Sequence, residues 1–127
     1  MTSIQIGKAV KAVLSASSAL VAKVGTKIFP IVSKEGTTYP FVVYRRNGID
    51  TTYTKDGRAG EVVNLDIVVA ASTYIDSVEV ADLVRDAIDG KAFTYHSMTV
   101  KGVQMVAADE DFIEDVYTQT LNFNLYL

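Results

Sequence analysis

The stretch VVNLDIVVAA, residues 62–71, decides the predicted fold of this chain. From Val63 onward every second side chain is apolar, and two of the positions between them are polar, which is typical of a β-strand with one buried face. The polar positions are Asn64 and Asp66, and the apolar positions are Val63, Leu65, Ile67, Val69 and Ala71. We therefore predict a strand that packs on a core with one side and is partly polar on the other.

A helix is predicted directly after this strand, in the stretch STYIDSVEVADLVRDAIDGK. Asp76 and Glu79 have the spacing of a capping box, and Ile75 is placed to pack on Val80 across that cap. Gly90 is expected to end the helix. The apolar stripe expected to face the core consists of Val80, Leu83, Val84, Ala87 and Ile88.

Helical spacing also marks the first 25 residues, where Ile6, Val10, Val13 and Leu14 fall on one side. Ser3 is a candidate N-cap for this helix. The serine-rich residues 15–18 are expected to break it, and a second short helical segment, residues 19–24, is expected to end at Gly25.

The remaining segments are rich in β-branched and aromatic residues and predict further strands. These segments are residues 27–32, with Pro30 suited to a sheet edge, residues 41–46 after Pro40, residues 98–106, and residues 117–127, with an acidic turn at Asp109–Asp111. The order of elements predicts an α+β fold, an antiparallel β-sheet of about four to five strands packed on one face by two main helices. We expect one domain, residues 1–127.

Composition restricts the function classes. The formal net charge of −3 argues against a specific nucleic-acid binder, because such proteins usually carry a basic excess. No apolar run reaches the roughly 20 residues that span a bilayer, so no membrane partner is expected. The chain has no cysteine, which excludes disulfides and thiolate chemistry.

No convergent set of chemical groups emerges from the motifs. The single histidine, His96, has no GxSxG element with which to build a triad, and we interpret it as an ordinary strand residue. The carboxylates between Asp109 and Asp115 lack EF-hand spacing and are interpreted as a solvated turn. We therefore predict no catalytic residue, no cofactor and no metal, and hence no enzyme.

The stretch YRRNGIDTTYTKDGRAGE, from Tyr44 to Glu61, combines cations with three glycines. It matches neither GxxxxGK[ST] nor GxGxxG, and it joins two predicted strands where a phosphate cradle would open a helix. A mobile hairpin tip and a partner-binding arm both remain possible. A connection this long in a small domain is more often functional.

The layout of the whole chain resembles the tail-completion, or tail-terminator, proteins of long-tailed bacteriophages and prophages. The resemblance is carried by VGTKIFP (residues 24–30) after the first helix, by YPFVVYRR (residues 39–46) and by the helix ending in AIDG (residues 87–90). The strand VNLDIVV (residues 63–69) and the ending DVYTQTLNFNLYL (residues 115–127) complete it.

This resemblance implies a structural protein that forms a homo-oligomeric ring, often a hexamer. The ring would cap the tail tube and join it to the head-tail connector, so the tail tube protein and the connector are the implied partners. The implied location is the host cytoplasm during assembly and then the virion tail. The alternative from the residues alone is a small α+β binding module for a peptide or metabolite in a bacterial protein.

Two surfaces are candidates for such assembly. The first is the mixed-charge arm, with interface residues Arg45, Arg46, Lys55, Asp56, Arg58 and Glu61. The second is the uncharged polar side of the last strand, which we expect to be a wet or lumen-facing surface. Its residues are Thr118, Thr120, Asn122 and Asn124.

Overall fold

A computed structural model describes all residues of the chain, Met1–Leu127. After a 3-10 turn at Ser3–Gln5, the helices are α1 (Ile6–Ser15), α2 (Ser18–Val24) and α3 (Tyr74–Ile88). The strands are β1 (Ile28–Pro30), β2 (Phe41–Thr54), β3 (Gly57–Ala71), β4 (Phe93–Tyr95), β5 (Met98–Val100), β6 (Gly102–Ile113) and β7 (Val116–Tyr126). The α+β prediction is confirmed.

The main sheet has five strands in the order β1-β2-β3-β7-β6, and β4 and β5 form a separate small hairpin. β2, β3, β7 and β6 are antiparallel to their neighbours, as predicted. β1 is different because it pairs with β2 in parallel, with Ile28 opposite Val42. The connection at residues 31–40 takes the chain back along the sheet edge, so both strands run in the same direction.

The hydrophobic core lies between the helices and one face of the main sheet, here called the helix face. Alternate residues of β3 and β7 point into it, and Phe123 at its centre is fully buried. Helices α1 and α3 supply the other side with Ile6, Val10, Val84 and Ile88. The opposite side of the sheet, here called the open face, carries no helix and is mostly polar.

The serine-rich break between α1 and α2 is confirmed. The Ser17 hydroxyl accepts a hydrogen bond from the Leu20 backbone N–H at 3.3 Å and so caps α2. Gly25, with φ of 61°, follows the last turn of α2. No single helix is long and apolar enough to cross a membrane. The helical segments Ser3–Ser15 and Ser18–Val24 reach that length and apolarity only when taken together, and they are bent by 93° relative to each other.

Two predicted caps are wrong. Ser3 is buried in the 3-10 turn, and its hydroxyl donates to the Glu61 carboxylate at 2.9 Å instead of capping α1. The cap of helix α3 is Thr73, three residues before the predicted Asp76, because the Thr73 hydroxyl accepts from the Asp76 N–H at 3.2 Å. Thr73 and Asp76 have capping-box spacing as well, so the local pattern allowed both starts.

The predicted acidic turn is also wrong. Asp109–Asp111 lies inside β6, which continues to Ile113 and pairs with β7 along its length. The turn falls at Glu114 and Asp115, both with positive φ. The predicted strand at residues 98–106 is divided between β5 and β6, and β6 has an irregularity at Val106.

We predict that Phe123→Ala lowers the free energy of unfolding by about 3–5 kcal/mol, because it leaves a cavity in a close-packed core. The matched control is Phe112→Ala, at a side chain that is 53% exposed, and its effect should be much smaller. Urea unfolding followed by circular dichroism measures both. Similar losses for the two variants would contradict the assigned core.

Candidate assembly interface

The β2–β3 hairpin extends beyond the body of the sheet. The last backbone hydrogen bonds between the β3 side and the β7 side of the sheet join Glu61 and Leu127. The Leu127 N–H donates to the Glu61 carbonyl at 2.9 Å, and the Glu61 N–H donates to the Leu127 carbonyl at 3.4 Å. Residues 51–60 therefore form a two-stranded projection, here called the arm, about 10–15 Å long. The predicted connection at Tyr44–Glu61 is thus ordered hairpin and not loop, with only Lys55 and Asp56 between the strands.

A tight turn closes the arm. Gly57 has a φ of 113°, which side chains other than glycine rarely adopt. The Thr54 hydroxyl donates to the Gly57 carbonyl at 3.4 Å and accepts from the Asp56 N–H at 3.3 Å. Lys55, Asp56 and Arg58 are exposed around this turn.

Arg45 and Arg46 lie at the base of the hairpin, about one arm length from its tip, and they point to opposite faces. Arg45 stands opposite Asp66 on the open face. Arg46 stands opposite Leu65 on the helix face and donates to the Ile4 carbonyl at 2.8 Å. The two ion pairs of the protein are Lys23–Glu79 and Arg85–Asp89, so the cations of this hairpin have no carboxylate partner within the chain.

Glu61 differs from the other predicted interface residues because its carboxylate is used internally. It accepts hydroxyl hydrogen bonds from Ser3 and Thr51, both at 2.9 Å. These bonds join the 3-10 turn to the base of the arm. The structure therefore places Arg45 and Arg46 on opposite faces at the base of the hairpin and Lys55, Asp56 and Arg58 at its tip, whereas Glu61 is turned inward.

A shallow groove lies on the outer edge of β2, beside Arg45 and Arg46. It has a volume of about 250 Å³ and includes Ile4, Pro30 and Ile31. Ile4 is 63% exposed and Ile31 is 72% exposed. The groove is therefore apolar with a cationic margin.

The β6–β7 hairpin, at the opposite end of the sheet, carries only negative charge. Its five carboxylates are Asp109, Glu110, Asp111, Glu114 and Asp115, and residues 102–126 contain no lysine or arginine. Phe112 and Ile113 lie among them and are 53% and 55% exposed. Sequence reasoning treated this region as a solvated turn, although two large apolar residues between carboxylates were a visible signal of a contact surface.

Glu110 ties this hairpin to α3. Its carboxylate accepts from the Gln119 amide at 3.0 Å and from the Tyr74 hydroxyl at 2.9 Å. Both bonds favour the charged form and hold the pKa of Glu110 below its ordinary value, with Gln119 the larger cause. The bond to Glu110, together with its negative charge, raises the pKa of Tyr74.

The open face carries a connected amide network. The Asn64 amide donates to the side-chain oxygens of Asn122 and Asn124, both at 2.9 Å. Asn122 in turn donates to Asp66 at 2.7 Å, and Asn47 donates to Asn64 at 2.9 Å. Thr118, Thr120, Asn122 and Asn124 are half-buried on this side, away from the helix-face core.

No group of three or more histidine or acidic residues is arranged to hold a metal ion. His96 is exposed in the turn between β4 and β5, with a φ of 51°, and its ring contacts that of Tyr95. Asp89, directly after the last residue of α3, accepts from the Met105 backbone N–H at 2.9 Å and from Arg85 at 3.2 Å. Its role is to join the end of α3 to β6.

We predict that Gln119→Leu moves the pKa of Glu110 up towards its ordinary value and that Tyr74→Phe moves it by less. Because the folded pKa is depressed, the stabilisation from this carboxylate is present above its unfolded pKa and is lost as the pH falls through the folded pKa. Carboxyl NMR titration measures both shifts. Thr120→Val, on the other face of β7, is the control, and an unchanged titration in the first two variants would contradict the assignment.

Comparison with known proteins agrees with this surface-based interpretation. Residues 8–125 match the family Tail completion protein gp17. A chain in the solved structure "Virion of native gene transfer agent (GTA) particle" shares the fold, with a TM-score of 0.76 and 24% identity over 92% of this chain and 90% of that chain. No match was found among curated proteins. The resemblance predicted from the sequence is confirmed, and the chain belongs to the tail completion protein gp17 family, a family of structural phage tail proteins.

Proposed function

We propose that this protein forms a closed ring of six identical copies, which caps the head-proximal end of the tail tube and joins it to the head-tail connector. It would assemble in the host cytoplasm and remain in the virion tail. The single observation that carries the proposal is the presence of two different hairpins at opposite ends of one sheet in a tail completion protein: one of mixed charge, whose cations have no ion-pair partner, and one whose charged residues are all acidic.

A ring requires heterologous contacts, in which one patch of a subunit meets a different patch of the next. Self-complementary patches would close a dimer instead. The mixed-charge β2–β3 hairpin, with its unpaired cations at Arg45 and Arg46, and the acidic β6–β7 hairpin are such a pair of different patches. The arm tip, with Lys55, Asp56 and Arg58, remains free in this arrangement and is available for the tail tube protein or the connector.

The open face suits the lumen of the ring. Its central residues on β7, Thr118, Thr120, Asn122 and Asn124, are uncharged, and their amides are already hydrogen-bonded within the sheet. This uncharged strip of β7 offers no cations to phosphate groups, and Arg45, which also lies on the open face, stands opposite the carboxylate of Asp66, so DNA would pass without being held. The helix face cannot serve this purpose because the core covers it.

The first test is the mass of the particle, by light scattering, for the protein alone and with the tail tube protein. We expect a particle of about six chains, either in free solution or bound at tube ends. Electron microscopy should then show tubes of limited length. Replacing Arg45, Arg46 and Arg58 with alanine should weaken this assembly. A matched triple variant at exposed cations elsewhere, Lys11, Lys34 and Lys91, should not. Wild-type protein that stays monomeric and leaves tube length unchanged would contradict the proposed function.

The second test addresses the lumen. Thr120→Lys would place a ring of cations along the channel, and we expect it to create salt-dependent binding of short double-stranded DNA, which the wild type lacks. Ala22→Lys adds the same charge on the exposed side of α2 and is the control. Fluorescence anisotropy at two salt concentrations measures binding. Equal DNA affinity in the two variants would exclude the open face as the lumen wall.

A further inference from the structure

Strands β2 and β6 each have a free stretch of backbone edge, and these two stretches lie at diagonally opposite corners of the sheet. On β2, the neighbour β1 covers only Val42–Tyr44, and the Ile31 N–H bonds to the Tyr44 carbonyl at 2.8 Å. From Arg45 to Thr54, β2 has β3 on one side and no strand on the other. This edge can accept one more strand.

On β6, the covered part of the edge lies near the start of the strand, at the opposite end of the sheet. The Val103 carbonyl accepts from the Gly90 N–H at 2.8 Å, and the Met105 N–H donates to the Asp89 carboxylate at 2.9 Å. From Val106 to Ile113, β6 has β7 on one side and no strand on the other. The two free stretches are similar in length and run in opposite directions within one copy.

We infer that the β6 edge of one copy, residues 106–113, adds as an antiparallel strand to the β2 edge of the next copy, residues 45–54, so that the sheets of a ring form one continuous sheet. This inference rests on the proposed function, since it names the contact by which the ring closes. Strand addition of this kind satisfies the free backbone groups of both edges.

The side chains at the two edges are complementary. In an antiparallel pair the Ile113 end of β6 lies beside Arg45 and Arg46, which brings Asp111, Glu114 and Asp115 towards these two cations. Neither side has an ion-pair partner in its own chain. Contact therefore brings opposite charges together without breaking an existing ion pair, which favours the correct register and partner.

The apolar residues fit in the same way. Phe112 stands opposite Tyr117 and lies on the helix face of its own sheet. The groove of the next copy, with Ile4, Pro30 and Ile31, opens beside Tyr44 and Arg46, which also belong to the helix face. In a continuous sheet the two helix faces stay on one side, so Phe112 would enter this groove and cover exposed apolar surface on both copies.

The covered parts of the β2 and β6 edges also determine how neighbouring copies are placed when the ring closes. Because β1 blocks one end of the β2 edge and Gly90 and Asp89 block one end of the β6 edge, each copy must shift along the strand direction relative to its neighbour. A sheet that closes on itself needs such a stagger, together with strand tilt. The same covered segments exclude an unshifted, side-by-side arrangement.

Charge reversal on each edge tests the contact, because combining the two reversals should restore ring assembly. The basic-side variant carries Arg45→Glu and Arg46→Glu, and the acidic-side variant carries Asp111→Lys and Glu114→Lys. Each alone should fall from ring mass to monomer mass in light scattering, with an unchanged circular dichroism spectrum. An equimolar mixture of the two, or one chain with all four changes, should recover the ring, because every contact again joins opposite charges. Asp82→Lys with Asp86→Lys, on the exposed side of α3, is the control.

A disulfide trap decides the question even where the ring dissociates at the working concentration. The chain has no cysteine, so Ile31→Cys with Phe112→Cys introduces the only two thiols. Within one chain they are separated by at least four strand spacings of about 4.8 Å, too far to bond. Oxidation should therefore give a ladder of multimers, whereas Ile31→Cys with Val78→Cys should give only a weak background.

The outcomes separate the inference from the proposed function. A ring that survives both charge reversals, together with no disulfide ladder, would overturn the edge contact and leave the ring itself standing. Absence of any ring and of any effect on tube ends would overturn both. Loss of the ring in each single-side variant, with recovery in the mixture and a ladder from the cysteine pair, is the result we expect.

Discussion

The pairing of β3 with β7 is the interaction on which the rest of the structure depends. These two strands pair over ten residues each, from Val62 opposite Tyr126 to Ala71 opposite Tyr117, and their central residues, 63–67 and 120–125, alternate between apolar and polar side chains. Because strand side chains point to alternate faces, a slip of one residue would expose Phe123 and bury Asn122. The same register that builds the core on one face assembles the amide network on the other.

The two hairpins extend from this central pair in opposite directions. β2, the second partner of β3, continues past the end of β7, and β6, the second partner of β7, continues past the end of β3. β2 and β3 continue beyond Glu61 and Leu127, where β7 ends, and β6 and β7 turn beyond Ala71, where β3 ends. Glu61, bonded to Ser3 and Thr51, and Glu110, bonded to Tyr74 and Gln119, anchor the two bases. Each projection is therefore held rigidly by a carboxylate that faces its own chain.

The sequence predicted the elements that bury one face in the core, and it failed to predict strand segments whose two faces are both exposed to solvent. The alternation in residues 63–71 and the stripe from Val80 to Ile88 reflect the core directly, and both elements were predicted. β2 beyond Arg46 and β6 beyond Val106 are exposed on both faces, so no hydrophobic period marks them as strands. Asp109–Asp111 has low strand propensity, but pairing with β7 decides its conformation. Among the candidate interface residues, the inward position of Glu61 depends on Ser3, which is 58 residues away in the chain and outside any local pattern.

Free strand edges are a hazard as well as an opportunity, because any exposed edge can pair with another. The charges on these two edges restrict that choice. Two β6 edges brought together would oppose carboxylates to carboxylates. Two antiparallel β2 edges would set Arg45 of one copy opposite Thr54 of the other, next to the cation Lys55. The Asp111 carboxylate also accepts from the Phe112 N–H at 2.7 Å, which protects that edge in the free chain. Like pairs of edges are therefore disfavoured by repulsion and only the unlike pair is attractive, so the same charges that keep the chain from forming a two-fold dimer or a fibril through identical edges direct it towards a head-to-tail ring.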